Sequence, residues 1–374
     1  MTENNREAQY LIHLLSCAIN EKQAEYWDGI DYSRLLKLSF KHQVFSTVYS
    51  VLSEVDGVPS EHMQDFRNYY MNYVQQTLML SGERNAIFDE LTENKIRYMP
   101  LKGSILKGYY PKEIMRQMGD IDVLYDTNYR DTVARIMSDR GYKNFSSGEN
   151  SDDYKKEPKL VFEFHRTLFF EESNFNPRFD NLWELATPDD DNEFLYHMDI
   201  NNLYLHSVCH MYKHYNFGGC GIRFLADTYL MLKAENDNLD WQWIDKKLDE
   251  YGIKEFERET KELAFAMFEE KELNEAQTAL LDTFLTFGIF GTQDNAVKAQ
   301  LSSLANGSEI DSKVLTKYKL YRLFPPKKKM IADYRVLEKH RYLLPAMYVY
   351  RLIKAAFNFK KTKQEIEMIN NSKN

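Results

Sequence analysis

Cysteine is scarce in this chain. Its 374 residues include only Cys17, Cys209 and Cys220. They are scattered, with no Cys-x-x-Cys pair and no zinc-like spacing. That excludes a disulfide-stapled scaffold and reads as reduced thiols in a cytoplasmic protein. Positive charge is also in deficit: 48 Lys and Arg against 57 Asp and Glu leave a net charge of -9. A general nucleic-acid binder needs a basic face to release counterions, so that class is set aside. A small anion in a local basic pocket stays open. No apolar run approaches the roughly 20 residues of a membrane helix, and the polar start, Met1 to Ala8, lacks the pattern of a secretory leader. A soluble protein without a membrane partner is expected, and no internal repeat is evident.

What is present is apolar and aromatic. Hydrophobic residues make up 43%, with 26 Tyr and 23 Phe. That is enough for a large interior in two or three packed units. Residues 7–94 read as mostly helical, with breaks at Gly29 and at Gly57 to Pro59. Leu11, Leu14, Leu15 and Ile19, then Leu36, Phe40 and Val44, then Phe66, Tyr70, Tyr73 and Leu80 recur at helical spacing, as one apolar face of a packed helix requires.

Around Arg97 the texture changes. Residues 97–101 form a short apolar strand that ends in a turn at Gly103 and Ser104, from which a helix can start. Ile121 to Tyr125 is a second strand, Asn128 to Arg140 a helix stopped by Gly141, and Tyr142 to Phe145 a third strand. Residues 146–157 read as a polar loop, and 159–170 as a strand. After Pro188 helices are expected near 201–215, 222–233, 241–251, 255–270 and 275–286. From Pro325 the chain turns basic (Lys327, Lys328, Lys329, Arg335, Lys339, Arg341, Arg351, Lys354), a solvated helix face rather than a nucleic-acid site. The tail after Lys360 reads as a frayed end. The expected organisation is a helical region over 1–95, an α/β core over 96–190 and a second helical region over 191–374, an α+β fold with a small mixed sheet.

Chemistry concentrates in the core. Side chains alternate along a strand, so Asp120 and Asp122 share a face while Ile121 and Val123 take the other. Two close carboxylates repel unless a divalent cation neutralises them, and Mg²⁺ bound to phosphate is the usual occupant. A surface strand with two solvated aspartates is the plain alternative. In the later strand Phe162 and Phe164 face one way, Glu163 and His165 the other. A lone Glu in so apolar a strand costs several kcal/mol if buried unpaired, and the same metal is its economical partner. His206, His210 and His214 fall on one helix face, but no carboxylate or Cys is spaced to complete a zinc site.

In order and spacing these features resemble the DNA polymerase β-like nucleotidyltransferase superfamily: a Gly-Ser turn, an acidic pair flanking one apolar residue, and a third acidic residue on a later strand. The resemblance is closer to its bacterial uncharacterised nucleotidyltransferase branch. That branch is matched by Leu101-Lys102-Gly103, by Arg116 to Asp122 with Gly-Asp-Ile-Asp, and by Glu163 to His165. Further matches are His210 to His214, Gly221-Ile222-Arg223 with Asp227, Leu323-Phe324-Pro325, and Leu343 to Pro345 with Arg351. The likeness covers most of the chain from about residue 60. It implies transfer of a nucleoside monophosphate from an NTP to an acceptor hydroxyl on a small molecule, sugar or protein, with pyrophosphate leaving. Two Mg²⁺ ions, with Mn²⁺ as substitute, would be held by Asp120, Asp122 and Glu163. Lys102, Gly103, Ser104, Arg116, His165, His210, Lys213 and Arg223 would contact the nucleotide, with a solvated surface cation the plain alternative for Lys102 and Arg116 and a satisfied half-buried imidazole for His165. An inactive nucleotide-binding relative and a metal-dependent phosphohydrolase are the competing readings.

Overall fold

One small sheet with two differently dressed faces organises the molecule. The computed structural model describes residues 6–148, 150–169, 182–216, 218–289, 301, 312–327, 330, 331, 334 and 336–357. The expected tail, Lys328, Lys329, Arg335 and the end of the 159–170 strand lie outside these residues, as do the side chains of Lys339 and Lys354. Four helices come first: α1 (Arg6–Ile19), α2 (Tyr32–Lys41), α3 (Phe45–Leu52) and the long α4 (Ser60–Glu93). Asp31 caps α2 through the Arg34 amide, satisfying one of the first-turn N–H groups that no helical carbonyl reaches.

The sheet follows: β1 (Tyr98–Pro100), the single-turn helix α5 (Gly103–Leu106), β2 (Ile121–Tyr125), α6 (Arg130–Asp139), β3 (Lys143–Ser147), β4 (Ser151–Lys156) and β5 (Leu160–His165). The strand order is β1-β2-β5-β4-β3. Only β2 and β5 run parallel; the other pairs are antiparallel. The chain between β2 and β5 supplies the crossover that a parallel pair needs.

Residues 146–157 are therefore not a loop: β4 occupies Ser151–Lys156. Its polar composition hides a strand because its buried charge is met from elsewhere. Asp152 is 2% exposed and accepts from Arg130 Nε at 2.7 Å and Nη2 at 2.8 Å, with Arg166 Nη1 at 2.7 Å. A carboxylate so paired tolerates burial that would be prohibitive alone.

One sheet face carries Ile121, Val123, Tyr154, Phe162 and Phe164, which pack against Leu80, Ile87 and Leu91 of α4 and Val133, Ile136 and Met137 of α6. The other face begins apolar at Met99 and Leu124, which pack with the C-terminal helices, and becomes polar at Asp122 and Glu163. Next come α7 (Leu182–Leu185) and a hairpin of β6 (Ala186–Pro188) and β7 (Tyr196–Met198); β7 lies past Pro188, where helix was expected. Then follow α8 (Ile200–Asn216), α9 (Arg223–Glu235), α10 (Trp241–Tyr251), α11 (Lys254–Phe268) and α12 (Glu275–Phe287). A shared core joins the two helical regions: Leu11, Leu14 and Leu15 of α1 pack with Leu225 of α9, Leu263 and Phe268 of α11, and Leu281 and Phe284 of α12. No helix among the described residues is long and apolar enough to cross a membrane.

Candidate active site

Parallel pairing sets Asp122 of β2 beside Glu163 of β5, one residue along from Ile121 beside Phe162. The apolar partners fill the core face, so alternation drives both carboxylates onto the opposite face. Asp120 immediately precedes β2, in phase with Asp122. Suitable ligand atoms of Asp122, Glu163 and His165 all lie within 4.8 Å of one another. Asp120 joins Asp122 and Glu163 through the electrostatics. Burial first, then Asp122 and Glu163, pushes the Asp120 carboxyl up to about 7. Asp122 goes the other way: although burial works against its charge, Lys102 and His165 hold it far below the usual carboxylate range. Unlike environments for two neighbouring carboxylates are what a working site tends to show. Carboxylates that raise one another's cost of ionisation fit hard divalent cations such as Mg²⁺ or Mn²⁺, which take oxygen ligands.

Leu101 to Ser104 form a tight turn closed by the Ser104 amide donating to the Leu101 carbonyl at 3.2 Å. Its second residue, Lys102, has φ 47° and ψ -114°, a conformation ordinarily left to glycine that costs of order 1–3 kcal/mol in another residue. The turn sends the Lys102 ammonium back over the sheet, where Nζ donates to Asp122 Oδ1 at 2.6 Å. His165 Nε2 reaches the same oxygen at 2.7 Å and stands 3.6 Å from Glu163 Oε2. Burial opposes the Lys102 charge, but Asp122, then Glu163 and Asp120, hold its pKa above the usual lysine value. Gly103 is required by its neighbours: an added Cβ would stand 2.5 Å from Arg116 Nη1 and 2.9 Å from Met118 Sδ. Ser104 Oγ is buried with no hydrogen-bond partner among the described residues.

Arg116 is held along one edge of its guanidinium. Its Nε and Nη2 donate to the two carboxylate oxygens of Asp227, each at 2.8 Å. Tyr110 Oη donates to the same Asp227 at 2.8 Å, and Tyr73 Oη to the Arg116 carbonyl at 3.2 Å. With Arg116 5% and Asp227 6% exposed, this bidentate pair is a strut behind the Gly103 turn. The pair joins α9 to the segment before β2, so the i, i+4 neighbours Arg223 and Asp227 do not pair with each other. Arg223 instead donates through Nη1 to the Gln117 carbonyl at 2.8 Å and to Gln43. Its Nε is buried without a hydrogen-bond partner, and burial together with Arg116 lowers its pKa.

Residues of helix α8 feel the charges of the site. Burial, then repulsion from Lys102, brings Lys213 down to about 8, opposed by Asp122 and Glu163. His206 and His214 are each pushed down to about 3, chiefly by burial, with Lys102 adding to both. His210 is lowered well below its ordinary value by burial and His214. These are neutral imidazoles: His210 and His214 meet Nε2 to Nε2 at 3.0 Å, one donating and one accepting.

The structure thus brings Lys102, Gly103, Ser104, Asp120, Asp122, Glu163 and His165 together, with Lys213 and His210 on α8. Arg116 and Arg223 stand one layer back. Asp153, opposite Glu163 in the antiparallel register of β4 and β5, escaped sequence reasoning because it lay in the supposed loop. Burial and Glu163 raise its pKa, against the pull of Ser151, whose Oγ donates to it at 2.8 Å. The alternation Asp153, Tyr154, Lys155 was the missed signal. Asp227 was visible as a motif residue, but its role was not.

Comparison with curated proteins and with solved structures finds no match. Residues 28–269 match a family described as uncharacterised nucleotidyltransferase. That span takes in α2 to α11 and every residue of the constellation above. By its sequence, the chain belongs to the uncharacterised nucleotidyltransferase family.

Proposed function

We propose that this protein transfers a nucleoside monophosphate from an NTP to an acceptor hydroxyl, with pyrophosphate as the leaving group. The observation that carries the reading is the register of β2 and β5, which places Asp122 and Glu163 side by side on the polar face with Asp120 in phase. Asp120, Asp122 and Glu163 would hold two divalent cations, Mg²⁺ or Mn²⁺. Such ions, once bound, neutralise the phosphates and clamp the attacking and leaving oxygens of an in-line displacement.

The remaining work belongs to the protein. Lys213, whose pKa responds to Asp122 and Glu163, offers charge to the triphosphate. His210 and the Ser104 hydroxyl orient phosphate oxygens by hydrogen bonds. The acceptor oxygen bonds to the α-phosphorus as the α–β bridging bond breaks, and its proton passes to Glu163, the most exposed of the three site groups at 30% against 9% for Asp122 and 5% for His165.

The test uses each α-³²P-labelled NTP with Mg²⁺ and a cell lysate, beside Asp120→Ala/Asp122→Ala. Label on an acceptor with matching pyrophosphate release, both lost in the variant, supports the reading. Orthophosphate release without label transfer would favour hydrolysis, and no NTP binding at all would refute the proposal.

A further inference from the structure

Asp122 Oδ1 carries two donors at once, Lys102 Nζ at 2.6 Å and His165 Nε2 at 2.7 Å. A carboxylate oxygen has two lone pairs, so both are in use. The Lys102 ammonium is also favoured by Glu163 and by Asp120. It therefore occupies, electrostatically, the position of a cation shared by all three carboxylates. The backbone is bent to put it there, with φ at 47°, and Lys213 on α8 is disfavoured by its presence. A divalent cation that takes Asp122 Oδ1 must therefore move Lys102. The side chain is 18% exposed and has four flexible methylenes, so Nζ can leave Asp122 by rotation about its own side-chain bonds.

We propose that Lys102 is an exchangeable counter-ion that couples metal loading to nucleotide binding. With no nucleotide, Lys102 competes with a divalent cation for Asp122. When an NTP arrives, its phosphates draw the ammonium off Asp122, and the same lysine that opposed the metal now binds the nucleotide. No bond is made or broken; one ion pair replaces another. The inference rests on the nucleotidyl-transfer reading of this site and adds to it an order of assembly: metal enters with the NTP rather than before it. Linkage requires the effect to be reciprocal, so Mn²⁺ would tighten NTP binding by the same factor.

The experiment is an Mn²⁺ titration, followed by the electron paramagnetic resonance signal of the free ion. Wild type, Lys102→Met and Lys102→Gln are each titrated with and without α,β-methylene NTPs, which bind but do not transfer. For wild type, the analogue should tighten Mn²⁺ binding by about 5- to 150-fold, the range of ordinary site–site coupling. Lys102→Met should tighten Mn²⁺ binding when nucleotide is absent, weaken binding of the analogue, and shrink the coupling toward unity. Lys102→Gln removes the charge while keeping a hydrogen-bond donor, and is read the same way if the Met variant does not fold. Equal tightening with and without the analogue would make Lys102 a fixed neighbouring charge and overturn the proposal. So would unchanged or weaker Mn²⁺ binding in a folded variant. If wild type binds neither Mn²⁺ nor analogue under any condition, the nucleotidyl-transfer reading itself fails. Strong analogue-dependent Mn²⁺ binding that is insensitive to Lys102 leaves that reading standing and removes only this one.

Discussion

The Arg116–Asp227 pair gives the most quantitative test of how this site is supported. Asp227→Ala strips the guanidinium of two 2.8 Å bonds while leaving it 5% exposed. Leaving one member of a buried ion pair uncompensated costs about 3–5 kcal/mol, a large share of a typical total of about 5–15 kcal/mol. Urea unfolding of Asp227→Ala should show that loss as a lower midpoint. Arg116→Met should cost less, because Tyr110 still donates to Asp227 and the abandoned carboxyl can take up a proton. The double variant Arg116→Met/Asp227→Leu replaces charge by apolar volume and should regain most of the stability, since buried pairs are often matched by well-packed hydrophobes. It should not regain nucleotide binding, because the Gly103 turn has lost the guanidinium it rests against. A loss below about 1 kcal/mol in Asp227→Ala, the worth of an ordinary hydrogen bond, would refute the strut. A double variant that binds an NTP analogue like wild type would refute its link to the site.

Further expectations follow from the same geometry. Gly103→Ala pushes a methyl group against a guanidinium that Asp227 holds still, so it should cost about 1–3 kcal/mol by overpacking and lower NTP affinity, both measurable by denaturation and calorimetry. Glu163→Gln should cut pyrophosphate release by at least about a hundredfold, the usual worth of a positioned proton acceptor, with folding unchanged; near-wild-type turnover would remove it from the mechanism. Asp153→Asn takes one charge from the carboxylate row and should leave folding intact while altering the Mg²⁺ concentration needed for half-maximal turnover; an identical Mg²⁺ dependence would mark Asp153 as a bystander. The buried histidines set a pH dependence. His42, His206 and His214 have folded values of about 3, against an unfolded value near 6.5. The unfolded chain therefore binds the protons first. Stability is fully present above pH 6.5 and falls as pH drops toward 3, by about 1.4 kcal/mol per histidine at pH 5.5. Denaturation midpoints at pH 7.5 and 5.5 should show the fall, and His206→Phe should remove a share of it.

Much of the site could be read from local pattern. Asp120, Asp122 and Glu163 declare themselves because alternation within a strand needs no tertiary information, and Gly103 and Ser104 stand at a turn after an apolar run. The helices from α8 to α12 follow spacing in the same way. What escaped depends on distant partners. β4 looks like a loop until Arg130 and Arg166 arrive to neutralise Asp152. Arg116 looks like a phosphate ligand until Asp227, far along the chain on α9, takes the Nε and Nη2 edge of its guanidinium. The hairpin of β6 and β7 is too short to carry a period, and it forms because β7 has β1 to lie against, through the bridge from Leu195 to Tyr98. Why residues 1–94 are attached had no local signal at all, since their apolar stripes name a core without saying whose.

That core sets a schedule for synthesis. Ser16 Oγ donates to the Phe268 carbonyl across 252 residues of sequence, and α1 has no complete partner surface until α11 and α12 exist. At roughly 5–20 residues per second on the ribosome, the first helix waits on the order of 10–50 s with its Leu and Ile stripe uncovered. The N-terminal helices are thus the first part made and among the last buried. A nascent chain paused between the sheet and α11 would carry Asp122 and Glu163 already in register, yet expose the apolar side of α1, a form of this protein that a chaperone would recognise.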